Sequence, residues 1–161
     1  MKIRCATDQH IEVPYDRLDN IPLDNLNLHR AELESSDLSN SSFVNSNLRG
    51  AFLYGSTMTG CNLESANLIV ADFREANLSR ANLKNCLFYS TLFESANLES
   101  ARLKNANIES ADFRNSNLKG AIMEYLEIDT AIFEGAIFDE KTIWPENFDP
   151  IKKGAIKLQT L

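Results

Sequence analysis

The sequence has few of the residues that carry most protein chemistry. It contains three cysteines and two histidines in 161 residues, and neither histidine lies at a ligand spacing from a cysteine. A zinc site is therefore not expected, and an odd number of dispersed cysteines predicts free thiols in a reducing compartment. The sequence also lacks a phosphate-binding glycine loop, a Walker pattern and a Gly-x-Ser-x-Gly motif. Nothing in it predicts an enzyme, a metal or a cofactor.

Long apolar runs are missing too. No stretch approaches the ~20 apolar residues that a membrane span needs, and the first twenty residues hold no run of signal-peptide length. The net charge of −7 argues against direct binding to the nucleic-acid backbone. We therefore expect a cytoplasmic protein whose partner is another protein.

What the sequence has instead is a period of five residues. Every position whose number ends in 3 or 8, from Leu18 to Phe148, is large and apolar: 14 Leu, 8 Phe, 3 Ile and 2 Met. The positions two residues earlier, from Ala31 to Ala121, hold 11 Ala, 5 Ser, 2 Cys and one Thr. A repeat this regular determines the architecture and is considered before any local feature.

A period of five fits neither a helix nor one long strand. In a helix the large residues would spread around the whole surface, and in a strand an odd spacing would place them on alternate faces. Both conflicts disappear if the chain turns once per repeat, at the multiples of five, where glycine and asparagine are frequent. Four corners of ~90° close a square coil of 20 residues, and successive coils stack at ~4.8 Å. Val70, Glu75 and Tyr125 lie at corners and are expected to use another turn type, because positive φ strains their side chains.

The small inward residue follows from this geometry, because four large side chains already fill each level of a narrow tube. Cys61 and Cys86 occupy such positions and are expected to be buried and inert, whereas Cys5 is expected to be more exposed. Phenylalanines spaced by 20 should stack on one face: Phe73, Phe93, Phe113 and Phe133. Asparagines spaced by 20, such as Asn62 and Asn82, should form amide ladders that stabilise the stack.

The pattern of a small residue, Asn or Asp, Leu or Phe and two polar residues resembles the pentapeptide-repeat family. It is clearest at Ala-Asn-Leu 66–68, 76–78 and 81–83. The resemblance covers about 130 residues and implies an all-β solenoid, a right-handed quadrilateral β-helix. The tail "TIWPENFDPIKKGAI" is similar to the C-terminal end of members from phototrophic bacteria.

The pattern weakens at both ends, which predicts one domain with two caps. Residues 1–17 are the expected N-terminal cap, 18–148 the β-helix and 149–161 a C-terminal helical cap. Asp149 and Pro150 are expected to start that helix, as N-cap and first helical residue. Its expected buried side is Ile151, Ala155, Ile156 and Leu158, which would dock on Ile122, Ile132 and Ile137. Trp144 is expected to cover the last coil.

The preferred function is a rigid protein-interaction module, either a monomer or an end-to-end homodimer. Assigning residues to faces by their number modulo 20 brings apolar side chains together around one corner, at positions that are usually polar. We call this group the corner patch: Phe52, Tyr54, Ile69, Val70, Leu87, Tyr89 and Leu92. The alternative is that these side chains are scattered surface residues without a function.

A second functional hypothesis comes from the resemblance. The family includes quinolone-resistance proteins that resemble DNA in shape and charge and bind DNA gyrase. Such a mimic needs a sustained negative face, but residues 45–120 hold seven acidic and eight basic side chains. The acidic side chains are concentrated in residues 121–140, which carry six carboxylates and no cation. The unbroken phase of the repeat also leaves no room for the projecting loop that some gyrase-protecting members carry.

Overall fold

The computed structural model describes residues 1–6, 10–124 and 128–159. Within these residues there are four short strands: β1 (Lys2–Arg4), β2 (His10–Glu12), β3 (Ile137–Phe138) and β4 (Ile156–Lys157). β1 and β2 pair antiparallel, and β3 and β4 pair parallel. Between these two pairs, single-residue bridges and turns alternate every five residues.

The chain between the strands is a four-sided coil. Parallel bridges join residues 20 apart, such as Asn62 with Asn82 and Leu92 with Asp112. Backbone hydrogen bonds hold successive coils together: Phe52 N donates to Ala31 O and Leu33 N to Phe52 O, both at 2.9 Å. The predicted coil of four repeats is therefore confirmed.

The inward assignment of the large and small residues is also confirmed. The central residues from Leu23 to Phe133 are at most 5% exposed, and the alanines of the small column from Ala31 to Ala121 at most 3%. The rings of Phe73, Phe93, Phe113 and Phe133 stack with centroids 5.0–5.2 Å apart and nearly parallel planes. The core is thus a set of columns that run along the axis of the coil.

The corners differ from the prediction. Every residue at a multiple of five from Asn20 to Gly120 has positive φ, whatever its side chain. Val70 has φ 52° and Glu75 has φ 58°, so the expectation of another turn type at these two corners is wrong. Tyr125 lies outside the described residues. Val70 keeps positive φ because Ala71 N donates to Leu68 O at 2.9 Å and closes the same turn as at the other corners.

The strain at Val70 can be tested by removing its side chain. A β-branched residue in the left-handed region costs roughly 1–2 kcal/mol, which exceeds the roughly 0.5–1 kcal/mol that glycine loses in chain entropy. Val70→Gly is therefore expected to raise the free energy of unfolding by up to about 1 kcal/mol. Val44→Gly is the matched control because Val44 is an outward residue whose φ is not positive. Chemical denaturation should show opposite signs for the two variants, and a loss of stability in both would contradict the strain.

The N-terminal strand pair of β1 and β2 lies against the first coil. Cys5 forms an antiparallel bridge with Ala31, and Glu32 N donates to Arg4 O at 2.8 Å. The first coil has larger residues at some of its small positions, and there the backbone amides donate to serine hydroxyls of the next coil. Ser41 Oγ accepts from Ile21 N at 3.0 Å and donates to Leu18 O at 2.6 Å.

At the C-terminal end the structure has a turn and a strand instead of the predicted helix. Asp149 Oδ1 accepts from Ile151 N at 3.1 Å, as an N-cap would, but the chain turns back at Gly154, which has φ 84°. Ala155 N then donates to Pro150 O at 3.0 Å, and β4 follows at once. A glycine in the left-handed region is a common end of a helix, and here it comes after a single turn.

The predicted buried side of the tail is mostly wrong. Ala155 is buried, but Ile151, Ile156 and Leu158 are 62%, 51% and 39% exposed. The predicted docking surface is only partly used: Ile137 pairs with Ile156 in the β3–β4 ladder and Ile122 bridges Ile143, while Ile132 is 45% exposed.

The repeat shifts by one residue in the last coil. Ile143 bridges Ile122, which is 21 residues away, and it is 42% exposed, so its predicted inward position is wrong. Thr142 takes the small position, where its hydroxyl donates to Leu118 O at 2.9 Å. Trp144 takes the next inward position and packs edge-to-face on Phe133 at 5.4 Å. Trp144 therefore covers the last coil, as predicted.

Candidate functional site

The cysteine thiols are buried and protonated. Sγ–H of Cys61 donates to Leu38 O, and that of Cys86 to Leu63 O, both at 2.9 Å. Burial raises the pKa of each of these two thiols to about 12. Cys5 is also buried, at 6% exposure, so the prediction that it is more exposed is wrong. Because the thiolate is the nucleophile and the metal ligand, these cysteines are packing residues.

The described residues offer few other chemical groups in a useful arrangement. Across residues 1–6, 10–124 and 128–159, no three side chains of His, Cys, Asp or Glu come close enough to hold a metal ion. Within the same ranges there is no helix that could cross a membrane. The asparagines that precede the central residues form ladders: Asn82 Nδ2 donates to Asn62 Oδ1 at 2.9 Å, and Asn117 Nδ2 to Asn97 Oδ1 at 3.1 Å. These amides hold the coils together, as predicted.

A groove of about 820 Å³ lies at the C-terminal end. Ile128 and Phe148 contribute its apolar wall, and Glu109, Asp129 and Lys153 are among its charged groups. Lys153 Nζ donates to the backbone oxygen of Asp129 at 2.7 Å, so this cation is already engaged. The groove exists because residues 145–154 leave the regular coil to reach β4.

The corner patch spans two faces of the coil, which we name after their most exposed aromatic residues. The Tyr89 face consists of residues 26–30, 46–50, 66–70, 86–90, 106–110 and 128–130, and the Tyr54 face of residues 31–35, 51–55, 71–75, 91–95, 111–115 and 131–135. Four members are well exposed: Tyr54 40%, Val70 47%, Leu87 46% and Tyr89 47%. Phe52, Ile69 and Leu92 are half-buried.

The Tyr89 face brings its apolar members together. Ile69 and Tyr89 occupy the same outward position in adjacent coils, and Val70 N donates to Tyr89 O at 3.0 Å. Leu87 lies two residues before Tyr89 on the same outward side, where it bridges Asn67. Ile69, Val70, Leu87 and Tyr89 therefore lie near one another on the outward side of two adjacent coils.

The Tyr54 face does not unite its members. Asp72 lies between Phe52 and Leu92 in the column of bridges. Arg74 binds the Asp72 carboxylate with both Nε and Nη2, at 2.9 and 2.6 Å, and its hydrogen bonds lower the pKa of Asp72. The same guanidinium lies 6.0 Å from the centroid of the Tyr54 ring. Leu92 is thus separated from Phe52 and Tyr54 by an ion pair that sequence reasoning missed.

Ion pairs along the rod also neutralise much of its negative charge. Arg114 binds Asp112 at 2.6 Å, Lys119 lies 3.5 Å from Glu99, and Lys104 lies 3.5 Å from Glu124. The middle of the rod consequently has no sustained run of unpaired carboxylates like the phosphates of DNA.

Two family descriptions match the chain. Residues 56–133 match "Pentapeptide repeat region", and residues 27–64 match "Pentapeptide repeats (8 copies)". Together they cover residues 27–133. No curated protein matches the chain.

Solved structures agree with these matches. The chain is similar to alr5209, a pentapeptide repeat protein from Nostoc PCC 7120, with 29% identity, a TM-score of 0.52, and coverage of 63% of this chain and 84% of that one. It is also similar to trypsin-treated QnrB1, a plasmid-mediated fluoroquinolone resistance protein, with 18% identity, a TM-score of 0.52, and coverage of 85% and 89%. The match to the Nostoc protein agrees with the resemblance to members from phototrophic bacteria. The likeness to QnrB1 concerns the fold alone.

Proposed function

This chain belongs to the pentapeptide-repeat family, and on that premise we propose that it is a rigid, non-catalytic scaffold that binds another protein through the corner patch. The observation that carries the proposal is the exposed apolar surface formed by Ile69, Val70, Leu87 and Tyr89 on adjacent coils. Aromatic side chains are enriched in protein interfaces, and a continuous apolar patch on a soluble protein often marks one.

The rest of the molecule supports a scaffold. Its core is filled by stacked side chains, its thiols are buried, and its backbone is held by hydrogen bonds from each coil to the next. A surface that does not rearrange binds without the cost of ordering a loop. We also propose a cytoplasmic location, which the three free cysteines support.

The patch is tested by making it polar. Tyr54→Ser, Ile69→Ser and Tyr89→Ser together are expected to leave folding nearly intact, because outward residues carry little core energy. They are expected to abolish the capture of the partner in a pull-down from the native cell. The matched control is Ile132→Ser with Ile143→Ser, which removes two exposed isoleucines outside the patch, 45% and 42% exposed. An equal loss of capture in both variants, or full capture by both, would refute the patch as the binding surface.

Gyrase inhibition by DNA mimicry is the alternative function. If it applied, neutralising Glu124, Asp129 and Glu134, together with Glu127 outside the described residues, would weaken inhibition, and added salt would do so steeply. We expect the purified protein to leave gyrase supercoiling unchanged, because the ion pairs above interrupt its negative charge. Potent, salt-sensitive inhibition would replace the scaffold proposal with the mimic.

A further inference from the structure

We propose that the Tyr89 face pairs with the same face of a second copy of this chain, with the two rods antiparallel. The inference rests on the proposed function, because the apolar part of the corner patch supplies the centre of the contact. It goes further by naming the partner and by assigning roles to two charged residues outside the patch, Arg49 and Glu109.

The order of side chains along this face carries the inference. Reading one outward column from the N-terminal coil onwards gives His29, Arg49, Ile69, Tyr89, Glu109 and Asp129. The basic side chains lie at one end, the apolar ones in the middle and the carboxylates at the other end. A two-fold axis between Ile69 and Tyr89 would place Ile69 of one copy against Tyr89 of the other. It would also place Arg49 of each copy against Glu109 of the other, as a two-fold symmetric interface requires.

Arg49 and Glu109 are available for such a contact. Both are exposed, and within the described residues neither side chain has an ion pair or a hydrogen bond. Their fixed contacts are made by the backbone, since Arg49 N donates to Asn47 Oδ1 and Glu109 N to Asn107 Oδ1. By contrast, Arg74 is already paired within the chain.

The other faces do not show this self-complementarity. On two of them the same antiparallel axis would pair opposite charges at the centre, Glu64 with Lys84 and Arg74 with Glu94. It would bring carboxylates together at the ends, Asp24 against Glu124 and Glu34 against Glu134, and neither face has an apolar centre. On the remaining face the axis pairs no opposite charges. The Tyr89 face alone combines an apolar centre with opposite charges at equal distances on either side.

The size of the face predicts a weak dimer. The five steps of ~4.8 Å from His29 to Asp129 span roughly 24 Å. A narrow face of that length buries less than the about 800 Å² per partner of a standard interface. Association should therefore depend on concentration. At the acidic end Lys153 Nζ contacts Asp129 O, which adds a positive charge beside this carboxylate. The inner pair, Arg49 with Glu109, is therefore a sharper test than the outer pair, His29 with Asp129.

The test is an exchange of charges, followed by sedimentation equilibrium over a range of concentrations at low salt. Arg49→Glu alone and Glu109→Arg alone are each expected to raise the dimer dissociation constant about tenfold or more, because each puts like charges together twice. An equimolar mixture of the two variants should recover association, since the new carboxylate at position 49 then faces the new guanidinium at position 109. The double variant should associate with itself for the same reason.

Lys84→Glu, on another face, is the control and should leave the dissociation constant unchanged, and circular dichroism should show that every variant is folded. A wild-type protein that stays monomeric overturns the proposal. So does a dimer that none of the charge reversals weakens, as an end-to-end dimer would be, and so does a mixture that fails to recover. If the wild type is monomeric while the polar patch variant still loses a captured partner, self-pairing is wrong and the proposed function stands.

Discussion

Truncating Phe93 to alanine is expected to lower the free energy of unfolding by about 3–5 kcal/mol. Phe93 is fully buried and stacks between Phe73 and Phe113, with ring centroids 5.2 and 5.0 Å away. Phe88 also contacts it edge-to-face at 5.3 Å. The narrow tube has no flexible wall that could collapse into the space, because each coil is fixed to its neighbours by backbone hydrogen bonds. Most of the cavity should therefore remain.

The measurement is chemical denaturation of the variant, with Tyr89→Ala as the control. Tyr89 is an aromatic residue on the neighbouring face of the coil that is 47% exposed, so its truncation should cost far less. Because a solenoid contacts only its nearest neighbours, a defect in a central coil can also divide unfolding into two transitions. Similar small losses in both variants would mean that the phenylalanine column does not carry the stability that its stacking indicates.

The period of five was enough to predict the coil, the inward residues and the stacked columns. Each of these depends on the position of a residue modulo 5 or 20, and the structure repeats the same backbone hydrogen bonds at that spacing. The behaviour of the corners could not be obtained from the side chains alone. Val70 adopts positive φ because the stacked coils above and below impose one turn geometry on every corner.

The C-terminal end was harder to predict because the periodicity no longer determines it. Ile143 fits the numerical pattern, but Asp139 and Thr142 form a wider turn, in which Thr142 Oγ1 lies 3.1 Å from Asp139 Oδ1. Thr142 therefore takes the small inward position. That single extra residue shifts Trp144 inward. Likewise, Gly154 ends the tail's turn early and leads to β4, although Asp149 and Pro150 are typical of a helix start.

The candidate site could be predicted only in part, because its continuity depends on contacts between columns. The sequence predicted which residues point outward at the corner, and these are exposed or half-buried. It did not predict that Asp72 and Arg74 separate Leu92 from Phe52, because an ion pair two residues apart depends on the side-chain geometry at that face. The groove at the C-terminal end was missed for a similar reason, since it forms where the repeat ends.

The second large effect is expected from filling the small inward column. Ala76 is 1% exposed, and its amide donates to Phe73 O at 3.0 Å in the turn that begins its repeat. Ala76→Leu adds three carbon atoms where the large side chains of the same level already fill the tube. The variant can accept them only by moving side chains off their rotamers or by separating two coils. The expected cost is roughly 1–3 kcal/mol or more.

Ser79→Leu is the matched control, because it adds a leucine in the same coil on the outward side. Ser79 is half-buried, and its hydroxyl lies 3.4 Å from Thr59 Oγ1, so the change should stay within about 0.5 kcal/mol. Ala106→Leu, in a different coil at 3% exposure, should repeat the result for Ala76→Leu. Thermal and chemical unfolding of the three variants measure the difference. Equally small losses of stability for the inward and outward leucines would show that the tube has room beside its large side chains. Lack of space would then no longer explain the small residue in every repeat.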